Sequence, residues 1–452
     1  MPKTTAPLVS GGVPLIGHTR EFLRDPVSLL RRGHHEHGEV FALRLPGGPA
    51  VVLLGADNHR FFFSETDRRL SIRKGMPYFR RMFDPDFYLF AEPGEYRRQR
   101  DLVLPRFQGE QMHRYVAVME RQVRELADRL GTSGEFDLVR TLGPMVMRIA
   151  ADAFLGADFA RRLGDDFFTE FRRFSAGMDV LAPPWLPLPH LIRSRRARDR
   201  LRAVLGELIE ERRRQPLDPP DFLQLLAHAR YRDGGAVPDL VRVNLILMLT
   251  WAGHETTTGH LAWALIDLIQ HPAELQRVRS ELAAEIDDAP LSSAQVHRLK
   301  QLDRALHETE RLHPVAYILQ RTVEDPVERQ GHLIPAGARV FISPAVSHRL
   351  PGTYPDPDRY RPARFLADPR SMRDLVGFGG GVHRCLGVHF AYLEMTVVLA
   401  RLLQWFDLEL RDTEPQPVAG PKTKWPASPC RVRYRRRASI PAPALDSGTG
   451  PG

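Results

Sequence analysis

FGGGVHRCLG, residues Phe378–Gly387, carries more chemical information than any other ten residues of this chain. Gly379, Gly380 and Gly381 let the backbone approach a flat ligand closely and adopt dihedrals that other residues avoid. Cys385 then stands just ahead of an apolar-periodic segment, about Leu386–Trp405, that reads as a long helix. Free N–H groups and the dipole at a helix start favour negative charge, and so a thiolate. Gly387 offers no side chain to block a planar group lying over that helix start. Phe378 can shield the sulfur, and neighbouring amides can tune it. The only other cysteine is Cys430, so a disulfide scaffold is not the design and sulfur chemistry rests on one thiol. A lone cysteine usually only packs, and a glycine-rich loop can simply hold an anion. Here the whole pattern F-x-x-G-x-x-x-C-x-G has to be explained.

Working outward, the rest of the chain reads as mostly helical with a smaller β-rich part. EVFALRLPGGPAVVLLG (Glu39–Gly55) alternates apolar residues around Pro46-Gly47-Gly48 and predicts a β-hairpin. Helical periodicity runs from about Glu110 to Gln270, with breaks at Gly134 and Pro183-Pro184 and a loop at Pro216–Pro220. Pro238–Gln270 is the longest such stretch, about 50 Å if fully helical. Asn244, His254, Glu255 and Asp267 interrupt it and argue for a buried central helix over a lipid one. Ser292 and Gln295 have the spacing of a capping box. His313-Pro314 stops the helix that ends at Leu312. After it, ILQRTVED and ARVFISP are β-like pieces among Pro-rich loops. We expect one domain over 1–436, with 437–452 a disordered tail.

Two helical motifs accompany the cysteine loop. Glu308 and Arg311 lie at i and i+3 in HETERLHP and can pair. In the central helix, Ala252-Gly253-His254-Glu255-Thr256-Thr257 sets a glycine that costs roughly 1 kcal/mol against Ala beside a threonine. The Thr256 hydroxyl can bond the Ala252 carbonyl and bend the helix, opening a groove; Glu255 supplies an acid and Thr256 a hydroxyl for proton delivery.

The cysteine loop resembles the haem-binding loop of the cytochromes P-450, and the likeness extends from about residue 10 to 436. That resemblance implies a triangular, mainly α domain with a long central helix, and haem b held through Cys385. It implies that Phe378, Gly379 and Gly387 cradle the haem, and that Tyr96, Arg100, Arg321 and His383 anchor its carboxylates by charge-assisted hydrogen bonds. Tyr96 stands where the family more often has Trp. The family's E-x-x-R helix implies that Glu308 and Arg311 lock to Arg364 of YRPARF as a buried structural triad. Ala252, Gly253, Glu255 and Thr256 resemble the family's oxygen-activating stretch and imply monooxygenation with O2 as co-substrate. Tyr78, Phe79, Phe83 and Phe87 from the aromatic run Gly75–Phe90 would form a lid, or only pack together; Ile318 and Leu319 would line the pocket. Texture is similar to bacterial sterol 14α-demethylases in EFLRDP, RLHPVAYILQRT and CRVRYRRR. Two departures are Glu255, where those enzymes carry His, and Phe83-Asp84-Pro85 in place of their aromatic-Gly signature.

Composition bounds the alternatives. The chain has 452 residues, 43% hydrophobic and 26% charged, ordinary for a globular protein. It contains no run of about 20 apolar residues and no basic-then-apolar leader, so we expect a soluble, cytoplasmic monomer. The net charge of +9 is scattered arginine without a nucleic-acid module, so a basic docking face is the better reading. Arg97, Arg98, Arg106, Arg384 and Arg401 are its candidates. No flavin or iron–sulfur domain fits this length, so electrons from NAD(P)H would arrive through a separate ferredoxin or flavodoxin. Competing readings are a sterol demethylase proper, a non-catalytic haem sensor or lipid binder, and a nucleic-acid binder. Demethylated sterol with formate, function surviving Thr256→Ala, and steep salt-dependent DNA affinity would mark each in turn.

Overall fold

The computed structural model describes residues 4–84, 87–156, 167, 169–178, 186–368 and 370–438. Pro183-Pro184 and residues 439–452 of the expected tail lie outside them; Arg437 and Ala438 lie within.

A helix over Asp239–Gln270 runs through the molecule. It starts after Pro238 with Asp239 in its first turn, where a carboxylate suits the dipole, and stops at His271-Pro272. Every residue from Thr257 to Leu268 is buried, as expected of a helix that is apolar all round and sits in a core. Three of its polar side chains have protein partners. Asn244 donates to Asp84 (2.5 Å), the Thr309 hydroxyl to Asp267 (2.7 Å), and the His260 ring bonds the Leu306 carbonyl (3.0 Å). The helix Leu138–Leu155 packs against it; a Cβ on Gly253 would meet Phe154 at 3.8 Å, and one on Gly143 would meet Thr258 at 3.7 Å. Small residues at both points let the two backbones come close.

Around this pair stand the helices Glu110–Leu130, Lys300–Leu312 and Val388–Trp405, the last two bringing the triad segment and the cysteine loop to the central helix. The expected hairpin is Val40–Leu45 with Gly48–Leu53, in the register Val40 to Leu53. It forms one edge of a five-stranded sheet continued by Arg339–Ile342, Leu319–Val323 and Leu70–Ser71. Gly48–Leu53 pairs parallel with Arg339–Ile342; the other pairings are antiparallel. Gly134 breaks the helical run by entering a strand, Ser133–Asp137, of a second sheet with Arg431–Arg436 and Phe406–Leu410. The capping box at Ser292 and Gln295 is formed.

Candidate active site

The glycine run turns as its composition requires. Gly379 and Gly381 have φ of +71° and +62°, and a Cβ on Gly380 would sit 2.7 Å from the Phe63 ring. The Cys385 amide donates to the Phe378 carbonyl (3.0 Å), closing the loop. Cys385 is exposed, and what it faces is a cavity of two lobes, about 230 and 260 Å³. Both lobes share the walls Cys385, Phe378, His383, Thr256 and Thr257, so the sulfur lies between them and opposite the central helix. Ala252 and Thr256 are exposed on that opposite wall. The Thr256 hydroxyl donates to the Ala252 carbonyl at 2.9 Å, which leaves its lone pairs facing the cavity. A Cβ on Gly387 would find only Phe107 at 4.0 Å, so the helix start is left open for a planar group.

Electrostatics at the sulfur differ from expectation. Protein encloses it on every side but the cavity, and that burial pushes the thiol up from its ordinary value; the Gly387 amide and Arg384 pull the other way. The helix start alone therefore does not ionise this thiol. A metal cation bound to it would, because a coordinating thiol loses its proton.

Beside the cavity lie two guanidinium groups without a carboxylate partner among the described residues. Arg321 is buried, donating to Thr66 (3.2 Å) and the Gln320 carbonyl (2.8 Å). Its burial lowers it to about 10, and among the described residues no carboxylate lies within ion-pair distance. The Arg100 Nε is buried without a hydrogen-bond partner. His383 stacks on Tyr96 at 4.2 Å, and its Nε2 is taken by Asp67 (2.7 Å), an unforeseen partner; Nδ1 is buried and unpaired. The Tyr96 hydroxyl donates to the Val382 carbonyl, tying its helix Pro93–Val103 to the cysteine loop. Two guanidinium groups that lack counter-ions among the described residues, a slab of apolar wall and a sulfur facing it suit a flat, dianionic, metal-bearing group such as haem.

Glu308, Arg311 and Arg364 meet as the motif implied. Arg311 grips Glu308 through Nε and Nη2, both 2.9 Å, and the Arg364 Nε reaches both carboxylate oxygens at 2.9 Å. All three are buried, and one carboxylate faces two cations. Carbonyls of His348, Pro357 and Arg359 accept from Arg311, and those of Pro355, Asp356 and Arg359 from Arg364, which makes good the excess charge. His348 carries the arrangement onward, because its Nε2 accepts from the Val376 amide at the entry to the cysteine loop (3.1 Å). Nothing in local spacing pointed to His348.

Several expectations need correction. Arg401 is no part of a docking face: it is fully buried and bonded to Glu120 (2.8 Å) and to the carbonyls of Asp287 and Ala289. Arg97, Arg98 and Arg384 are exposed, and Arg106 is partly buried. Ile318 packs in the sheet's own cluster with Phe341, whereas Leu319 lines the second lobe. Tyr78 packs against Phe79 with the rings tilted (4.8 Å between centroids) and is absent from the walls of both lobes; Phe79, Phe83 and Phe87 line the first with Trp251. Glu255 is not a wall residue either. It is largely enclosed beside Ser175, with no well-formed hydrogen bond between them, and burial raises its carboxyl.

Comparison with known proteins decides the family. Residues 7–431 match the pattern described as Cytochrome P-450. The chain belongs to the cytochrome P-450 family. This P-450 is a monooxygenase, an oxidoreductase of a family that uses haem iron and O2. It is 32% identical over 455 residues to the sterol 14α-demethylase of Mycolicibacterium vanbaalenii, covering 95% of this chain and 98% of that one. Human lanosterol 14-alpha demethylase is 26% identical, covering 96% and 87%. The solved structure of retinoic acid-bound cyanobacterial CYP120A1 superimposes with a TM-score of 0.87 at 28% identity, covering 97% of this P-450 and all of that chain. Among the described residues, no helix of the P-450 is long and apolar enough to cross a membrane.

Proposed function

We propose that this P-450 inserts one oxygen atom from O2 into a C–H bond of an apolar small molecule of the sterol, terpenoid, fatty acid or polyketide class. The supporting observation is the cavity itself, where the Cys385 sulfur faces Ala252 and Thr256 below a roof of Phe79, Phe83, Phe87 and Trp251. Haem b, when bound through Cys385, supplies the oxygen activation, aided by the electron density of the thiolate. Arg100, Arg321 and the free nitrogen of His383 would hold its two carboxylates. Phe378, Gly379 and Gly387 would lie against it on the cysteine side. Thr256, already donating to Ala252, would accept a hydrogen bond from a water and so hold a proton donor in place. Glu255, raised by burial, holds its proton to higher pH than an ordinary carboxyl does and is a candidate proton source behind the cavity wall. The aromatic roof excludes water and binds apolar substrate. Electrons from NAD(P)H come through a separate ferredoxin or flavodoxin, for which the exposed Arg97, Arg98 and Arg384 are candidate contacts.

The test is spectral. Haem-replete wild type should show a red-shifted Soret band for its reduced carbon-monoxide complex, and Cys385→Ala should not. Titration with sterols, terpenes, fatty acids and polyketides should give a low-to-high-spin shift with one class. A colourless protein, or an unshifted band, would overturn the proposal. Sterol 14α-demethylation is the second reading, supported by the names of the relatives aligned over nearly the whole chain. Release of formate with demethylated sterol would establish it; hydroxylation alone would exclude it.

A further inference from the structure

One buried acid at this site is unused by any role described so far. Glu310 lies on Lys300–Leu312 between Thr309 and Arg311, on the opposite side of that helix from Glu308. Its Oε1 accepts the Gly377 amide at 3.0 Å, and its Oε2 accepts the Tyr392 hydroxyl in a short hydrogen bond. A Cβ on Gly377 would lie 2.7 Å from that Oε1, so the carboxyl comes this near only because residue 377 is glycine. The Tyr392 ring is stacked on His307 at 4.4 Å and lies 5.4 Å from the ring of Phe378. Phe378 in turn shares both lobe walls with Cys385, and Glu310 itself lines the second lobe. Burial raises the Glu310 carboxyl, yet both oxygens have donors. One side chain thus ties three parts together: the triad helix, the entry to the cysteine loop, and the helix that leaves it.

We propose that Glu310 and Tyr392 are positioning residues for the proximal ligand, a clamp that seats Phe378 over the Cys385 sulfur and keeps the iron–sulfur bond dry. The inference rests on haem binding through Cys385. Second-sphere groups of this kind typically alter metal affinity by about 10–100-fold when removed. Glu310 acts from one helix, Tyr392 from another, and neither touches the reacting atoms.

The experiment compares Glu310→Ala, Glu310→Gln and Tyr392→Phe holoproteins with wild type. It follows haem transfer to apomyoglobin, the reduced carbon-monoxide Soret band and the reduction potential. Glu310→Ala loses both hydrogen bonds and should release haem about tenfold faster or more. It should also pass a larger fraction of its carbon-monoxide complex to the unshifted band of a protonated or lost thiolate, with a shifted potential. Tyr392→Phe and Glu310→Gln, which keep the Gly377 contact, should fall between it and wild type. If Glu310→Ala does not fold by circular dichroism, the two conservative variants decide. Wild-type release, band and potential in the folded variants would overturn the proposal. So would faster release with band and potential unchanged, which marks general loosening only. Wild type that takes up no haem would instead defeat the functional reading.

Discussion

Single side chains here act through what their neighbours leave them free to do. Thr256 has given its proton to the helix backbone, so what it offers the cavity is an acceptor. Thr256→Ala should therefore lower product formed per electron by roughly 10²-fold, the low end for a positioned proton-transfer group, while the substrate-induced spin shift persists. Coupled turnover equal to wild type would remove the residue from the proton path. Glu308 is held by two guanidinium groups and the Arg361 amide. Its loss leaves Arg311 and Arg364 buried without a counter-ion, and Glu308→Ala should cost about 3–5 kcal/mol in denaturant unfolding. A loss below about 1 kcal/mol would mean the surrounding carbonyls suffice alone. The loop motif and the E-x-x-R pair were legible because both are short-range patterns. His348, Glu310 and Tyr392 were not, since each meets the cysteine loop through a packing contact without a local signature.

Among elements, Val388–Trp405 shows how a helix serves two purposes at once. Its first turn receives the cysteine loop, and its remainder is buried on nearly every face. Within that buried face Glu394 is fully enclosed, and neither carboxylate oxygen has a hydrogen-bond partner. Burial holds its carboxyl far above the ordinary value, so the folded helix keeps it protonated. A raised carboxyl favours folding in acid, and the advantage is lost as pH rises above about 4.5. Glu394→Met should then stabilise the protein by about 1–3 kcal/mol, the usual penalty of an unsatisfied buried polar group, and more at pH 8 than at pH 5. A destabilised Glu394→Met at both pH values would show that the carboxyl has a partner. The central helix was readable from periodicity and its Pro-flanked ends. That Glu255 turns from the cavity was not, because helical spacing gives a face without saying which wall meets it.

For the molecule as a whole, buried histidines set the acid limit. His59 and His260 are pushed down to about 4, and His348 to about 3, chiefly by burial. Unfolded, each returns to about 6.5, so below that pH the open chain takes up protons that the folded one refuses. Their contribution is intact above about 6.5 and drains as pH falls toward 4, by roughly 1 kcal/mol per pH unit for each histidine. Glu310 and Glu394, raised by burial, act in the opposite sense at higher pH. Denaturation midpoints should accordingly fall steeply from pH 6.5 to 5, and His260→Gln should flatten that slope. A level profile across this range would show that these rings are protonated in the fold.

Sequence by itself determined which thiol is presented, which helix crosses the centre, and that Glu308 and Arg311 share one face of a helix; Arg364 entered the triad only through the family resemblance. The former readings follow from composition and from spacings of a few residues, where the period of a helix already fixes who faces whom. Tertiary structure alone decided the fate of the long-range charges. Arg401 and Arg384 are chemically alike, yet one is sealed against Glu120 and the other meets solvent. A guanidinium carries the same charge in either place; only the packing of distant segments sets whether a carboxylate or water meets it.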